Sequence, residues 1–178
     1  MRRILLFVPL LIFIGLGYFL WRGLSIDPTE LPSARLNQPF PQFQLASLTE
    51  PERTLTEADL KGRPALVNIW ATWCPTCKEE HAFLNGLAQQ GVTIYGINYK
   101  DEPLKAREWL KRYRDPYTEV VLDQDGALGI DLGVYGAPET YVIDAQGVIR
   151  YRHVGAVDAK VWKQLKQVMD QLATGGAS

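Results

Sequence analysis

The chain contains two cysteines, and they stand two residues apart as Cys74-Pro75-Thr76-Cys77. On the first turn of a helix this spacing brings the sulfurs within bonding range. A bond across two spacer residues restricts the unfolded chain very little, so redox use is favoured over an inert structural bridge. The apolar stretch 65–71 (ALVNIWA) reads as a strand that runs into Thr72-Trp73 and the motif, and a helix follows to about Gln90, ended by Gly91. At such a strand-to-helix turn the first N–H groups of the helix point toward Cys74. The partial positive charge there favours its thiolate, while Cys77, one turn on and facing the sheet, stays a protonated, shielded thiol. Pro75 suits the opening turn, where its missing N–H is not needed and its fixed φ stiffens the loop. The chemistry that follows is thiol–disulfide exchange, in which Cys74 attacks an external disulfide and Cys77 resolves the mixed disulfide.

Other uses of a dithiol fare less well. Covalent haem attachment needs C-x-x-C-H, and Lys78 follows Cys77 here. A soft thiolate pair with His81, one helical turn past Cys77, suits Cu(I), which makes a copper-binding chaperone the alternative from a different class. There is no second cysteine pair, so a closed four-ligand site is not expected, nor any cofactor beyond the redox-active Cys74–Cys77 bond. His81 is expected to pack at or near the helix surface, and His153 lies in the arginine-flanked run 150–153. A peroxidase frame, Pro-x-x-x-Thr/Ser-x-x-Cys, is missing ahead of Cys74.

An α/β sheet has to hold this turn. Residues 43–48 and a run near Thr54 look like a short hairpin, and 56–60 like a helical turn. Residues 92–99 read as a buried strand. Pro103 opens a helix with Ala106, Trp109, Leu110 and Tyr113 on one face, 119–122 is a third strand, and 125–132 a short helix or turn. Residues 140–144 and 148–153 form a hairpin around Ala145-Gln146-Gly147, and Asp158 caps a last helix with Val161, Leu165, Val168 and Leu172 as its buried stripe. Strands alternating with helices, then a hairpin and a final helix, give a sheet with parallel and antiparallel parts.

The N-terminus sets the compartment. Sixteen of the first 21 residues are apolar, and 4–21 carry no charge. A helix of that length spans roughly 27 Å, close to a bilayer core. Arg2 and Arg3 precede it, and Asp27 and Glu30 follow, which puts the N-terminus in the cytoplasm. Residues 1–21 are expected to be an uncleaved single-pass anchor. A cleaved leader competes, but its apolar region is usually shorter, and no small-x-small pair follows this one. Either way the cysteines lie outside the cytoplasm, where such pairs are usually oxidised. Residues 22–41, with Pro28, Pro32, Pro39 and Pro41, are expected to be a linker, 42–173 the domain, and 174–178 a flexible tail. The formal charge of -1 leaves no electrostatic footprint for nucleic acid.

The runs 68–81 (NIWATWCPTCKEEH), 133–144 (GVYGAPETYVID) and 151–154 (YRHV) resemble the CcmG/DsbE family of membrane-anchored thioredoxin-like proteins, over about Leu36 to the end together with the apolar start. The resemblance implies a thioredoxin-like fold, a mixed sheet flanked by helices with a small N-terminal hairpin. It implies a periplasmic thiol:disulfide oxidoreductase of the bacterial inner membrane that keeps the haem-site cysteines of apocytochrome c reduced. Electrons would come from a DsbD-type membrane reductase, and CcmH-type maturation components would be partners. A broader extracytoplasmic reductase of the TlpA or ResA type is the nearest alternative, separated only by the GVYGAPET stretch. Carried over residue by residue, Pro138 is the cis-proline that faces the dithiol and presents the backbone of Ala137 to a substrate peptide, and Trp73, Pro75 and Thr76 frame the cysteines. Glu139 is expected to tune the thiols or relay a proton. The buried aspartate of ordinary thioredoxins falls at Asn68, which cannot titrate. The base that assists Cys77 must then be another group, with Glu139 first and Glu79, Glu80 or Tyr141 behind it.

Overall fold

The computed structural model describes residues 8–24 and 35–175. The chain divides into two units, Met1–Leu31 and Pro32–Ser178. In the first, α1 (Val8–Leu24) is a 17-residue helix in which Leu11, Phe13, Leu16 and Phe19 are exposed. Among the described residues no helix is long and apolar enough to cross a membrane. The span expected at 4–21 begins in residues outside the described ones. At its other end α1 runs on through Arg22 to Leu24, since the backbone bonds of a helix do not depend on where an apolar run ends.

In the second unit β1 (Gln44–Ala46) and β2 (Thr54–Thr56) form the expected antiparallel hairpin, followed by a 3-10 turn over Glu57–Leu60. Asp59 closes that turn by accepting from the Thr56 N–H at 2.8 Å and the Thr56 hydroxyl at 3.0 Å. Then β3 (Ala65–Trp70), α2 (Pro75–Gln89), β4 (Ile94–Tyr99), α3 (Pro103–Tyr113) and β5 (Glu119–Asp123) make two successive crossovers between parallel strands. After the short α4 (Ala127–Leu132), the strands β6 (Glu139–Ile143) and β7 (Ile149–Val154) return antiparallel, and α5 (Ala159–Gly175) closes the unit. The strand order is β5-β4-β3-β6-β7, with the strand that leads to the cysteines at the centre.

Every residue of β3 is buried, because both faces of the sheet are covered. Leu66 and Trp70 pack with Leu84 and Leu87 of α2, Ala106 and Leu110 of α3, and Leu165 of α5. Ala65, Val67 and Ile69 pack on the other side with Phe40, Leu55, Leu128 and Leu132. Asp158 caps α5 as expected, accepting from the N–H groups of Lys160 and Val161 at 2.8 Å each.

Two expected boundaries change. The end of the linker belongs to the domain. The Asn37 N–H donates to the Ile149 carbonyl at 2.8 Å, the Ile149 N–H to Gln38 at 3.0 Å, and the Phe40 N–H to Gly147 at 2.8 Å. This segment lies along the outer edge of the sheet, a place where prolines are tolerated, which is why its composition reads as linker. At the other end α5 continues to Gly175, so Thr174 is helical rather than tail, and its hydroxyl donates to the Asp170 carbonyl at 3.1 Å. The rest of the expected tail, residues 176–178, lies outside the described residues.

Candidate active site

Cys74 and Cys77 are joined by a disulfide with their Cα atoms 5.3 Å apart, and both are buried. Cys74 is the N-cap of α2, and its sulfur accepts the Cys77 N–H at 3.0 Å. The sulfur thus takes the place of the side-chain oxygen that usually caps a helix, and in the reduced protein the same donor favours a Cys74 thiolate. Pro75 occupies the first helical turn, with Thr76 between it and Cys77.

The loop ahead of Cys74 is clamped by a residue that sequence reasoning did not single out. The Asp101 carboxylate accepts from the Thr72 N–H at 2.6 Å, the Thr72 hydroxyl at 2.7 Å, the Asn98 amide at 3.0 Å and the Glu102 N–H at 2.8 Å. Trp73 is 53% exposed, and its indole N–H donates to the Lys100 carbonyl at 3.0 Å. This large aromatic surface is therefore held in place at the rim of the cysteine pair.

The Ala137–Pro138 bond is cis. Antiparallel pairing sets Glu139 opposite Ile69, so Pro138 lies beside the exit of β3, where the chain turns toward Cys74. The same register decides the face of each side chain. Thr140 pairs with Asn68 and points to the side of α2, whereas Glu139 shares the opposite face with Tyr141 and Ile143.

Glu139, expected first to assist the thiols, thus lies on the face of β6 away from α2. Its carboxylate is fully buried on the face away from the cysteines and accepts from the Tyr135 N–H at 2.8 Å, the Tyr141 hydroxyl at 3.1 Å and Arg152 Nε at 2.9 Å. Arg152 also donates to the Gly133 carbonyl at 2.9 Å. Glu139 thereby ties residues 133–138, which carry the cis-proline, to β7. Burial, followed by the Glu139 charge, pushes the Tyr141 hydroxyl well above its ordinary range, so Tyr141 serves as a donor rather than a base.

The carboxyl on the cysteine side is Glu80. It is buried on α2 three residues past Cys77, which puts the two on one helix face. Its oxygens accept from the Val157 N–H at 2.7 Å and from Asn68 Nδ2 at 3.1 Å. Burial pushes its pKa up to about 7, while the two donors pull the other way. Asn68 also donates to the Thr140 hydroxyl at 3.1 Å and accepts from the Tyr117 hydroxyl at 2.9 Å. Glu79, its neighbour in the sequence, is exposed.

His81 is buried rather than near the surface. Its Nε2 lies 2.7 Å from the Arg114 carbonyl, and its ring meets the Trp109 ring edge-on at 4.2 Å. Burial lowers its pKa, against the pull of the Arg114 and Tyr113 carbonyls. The Cys74–Cys77–His81 ligand set is thus not assembled, and among the described residues no group of three or more His, Cys, Asp or Glu side chains is placed to hold a metal ion. His153 packs against the nearby Ala156 carbonyl at 3.2 Å.

A mixed sheet whose central strand leads into a cysteine pair at a helix N-terminus, with a cis-proline beside it, defines the thioredoxin-like class of proteins. The Redoxin family matches residues 35–172. The thiol:disulfide interchange protein DsbE of Pseudomonas aeruginosa is 58% identical over 173 residues, covering 97% of this chain and 96% of its own. That of Escherichia coli K12 is 47% identical over 171 residues, covering 92% of each chain. The solved structure of a DsbF homologue from Corynebacterium diphtheriae shares the fold, with a TM-score of 0.64 at 23% identity over 83% of this chain and 97% of that one. The chain belongs to the DsbE family of thiol:disulfide interchange proteins, oxidoreductases that work by dithiol–disulfide exchange.

Proposed function

We propose that the chain is a periplasmic reductant of the haem-site cysteines of apocytochrome c, with Cys74 as the attacking thiolate, Cys77 as the resolving thiol and Glu80 as the group that takes the Cys77 proton. The observation that carries the reading is the pairing of a helix-capped Cys74 with a buried carboxyl on the face of Cys77. The Cys74 thiolate attacks one sulfur of the substrate disulfide, the S–S bond breaks, and the other substrate sulfur leaves as a thiolate. Cys77 gives its proton to Glu80 and attacks Cys74 Sγ, which expels the second substrate thiolate and closes the Cys74–Cys77 bond. Two electrons pass to the substrate, whose thiolates take up two protons. A dithiol of a DsbD-type membrane reductase returns the pair to the reduced form.

Trp73, Pro75 and Thr76 frame the attack, the backbone at Ala137 and cis-Pro138 receives the substrate peptide, and Glu139 acts through the loop it ties down. The uncharged run 4–21, preceded by Arg2 and Arg3, is in this reading a single-pass inner-membrane anchor with its N-terminus in the cytoplasm. CcmH-type maturation components are the partners this role brings with it. The test is reduction of an oxidised C-x-x-C-H peptide by the reduced protein. A clear preference for that peptide over oxidised glutathione is expected; equal rates on both assign the protein instead to a general reductase of the TlpA or ResA type.

A further inference from the structure

Around Glu80 the hydrogen bonds have a direction. The Tyr117 hydroxyl carries one proton and directs it to Asn68 Oδ1 at 2.9 Å. The amide then has its oxygen occupied on that side and turns both N–H bonds the other way, one to Glu80 Oε1 at 3.1 Å and one to Thr140 Oγ1 at 3.1 Å. A flipped amide would aim a carbonyl oxygen at Glu80, which is favourable only when the carboxyl holds a proton. It would also leave the Tyr117 proton facing an N–H in a buried site, an orphan donor. Tyr117 cannot swing away to avoid this. Its ring is stacked on Trp70 with centroids 5.6 Å apart, Trp70 is stacked on Trp109 at 5.0 Å, and the Tyr117 N–H is held by Asp115 at 2.9 Å.

We propose that Tyr117 and Asn68 are positioning residues for the exchange reaction: the Tyr117 hydroxyl fixes the Asn68 amide so that an N–H, and not the carbonyl, meets Glu80 and keeps that carboxyl ready to receive the Cys77 proton. The proposal rests on the reading of Glu80 given above. It explains how an asparagine serves where it cannot titrate: it transmits the orientation set by a phenol on a separate segment. Tyr117 keeps its proton throughout, since burial, and after it the charges of Glu80 and Asp115, push its pKa well above the usual range.

The network around this carboxyl draws on five elements. Asn68 of β3 and the Val157 N–H before α5 donate to it, Tyr117 from the segment before β5 and Thr140 of β6 bond Asn68, Cys77 stands one turn back on its own helix, and His81, next along that helix, turns its ring to the Arg114 carbonyl and Trp109. Asp115 stands behind Tyr117.

The experiment is a carbon-13 NMR titration of the glutamate side-chain carboxyls in the oxidised full chain, with Glu80→Gln assigning the resonance. The wild type is expected to show one carboxyl titrating near neutrality. Tyr117→Phe is expected to move that midpoint up by about one pH unit, since a hydrogen bond to a charged group is lost to amide flipping. In the reduced protein the alkaline shift should reappear in the pH profile of exchange. Asn68→Asp provides a second variant of nearly the same shape. It sets a carboxyl beside Glu80, and the pair should titrate in two separated steps, one above the wild-type midpoint. A wild type with no such resonance overturns the reading of Glu80 itself. A wild-type midpoint near neutrality that both Tyr117→Phe and Asn68→Asp leave unmoved overturns the positioning role alone.

Discussion

Replacing Glu80 by Gln removes the charge of the buried carboxyl while keeping its shape, and the consequence for stability can be worked through. Burial holds its folded-state pKa at about 7 against an ordinary 4.5, a gap of about 2.5 pH units. An acid with a raised folded pKa keeps its proton longer in the folded state, so between these values the unfolded chain binds fewer protons. Stability is therefore full below the unfolded pKa, falls as the pH rises through the window, and has lost its full share above the folded pKa. At about 1.4 kcal/mol per unit the loss is about 3 kcal/mol, with no discount for solvent because the side chain is buried. Gln does not titrate. It offers one oxygen where two donors, Asn68 and the Val157 N–H, need acceptors, which costs about 1–3 kcal/mol at every pH. The variant should start less stable than the wild type in acid, and the difference should move by about 3 kcal/mol in its favour between about pH 4 and about pH 8. Urea unfolding of the oxidised full chain, followed by tryptophan fluorescence across that range, reads this directly. Two stability profiles that run parallel would refute the reasoning.

Cys77→Ser should stall exchange with Cys74 in a mixed disulfide, visible by mass spectrometry of substrate adducts, whereas Cys74→Ser should form none. Asp101→Ala removes the acceptor shared by Thr72, Asn98 and Glu102 and should lower stability by about 2–3 kcal/mol in urea unfolding. Arg152→Ala leaves the Glu139 carboxylate buried without its cation and should cost about 3–5 kcal/mol, part of which Glu139→Gln in the same chain restores; a double-mutant cycle measures the recovery. Gly96→Ala would bring a Cβ to 2.9 Å from both Trp70 Nε1 and a Tyr117 ring carbon. The overpacking should cost about 1–3 kcal/mol, read as a lowered unfolding midpoint.

What the chain reveals before folding, and what it hides, follows from how both faces of the sheet are covered. The strand, the motif and the helix after it are legible because an apolar run meets Pro75 at the first turn of α2 and Gly91 just past its end. The parity of β6 is not. In Glu139-Thr140-Tyr141-Val142-Ile143 both sets of alternate residues are buried, so the pattern does not say which of Glu139 and Thr140 faces α2. Sequence adjacency to Pro138 favours Glu139, whereas the register puts Thr140 on the side of α2 and Glu139 on the other. A usable signal was present in the three-residue spacing of Cys77 and Glu80 along one helix. Tyr117, Asp101 and Arg152 carried none, since the bonds that tie them to Asn68, Thr72 and Glu139 span 49, 29 and 13 positions of sequence. The cis bond at Pro138 was legible only through the family resemblance, because an X-Pro pair by itself fits an ordinary trans turn.

The central claim is that Cys74 and Cys77 work as a dithiol reductant in an oxidising compartment. Alkylation trapping of the two cysteines in cells, with and without the membrane reductase that would supply electrons, tests it most directly. The account predicts a pair that is mostly reduced when the reductase is present and oxidised when it is absent. A pair that stays oxidised in both would contradict it.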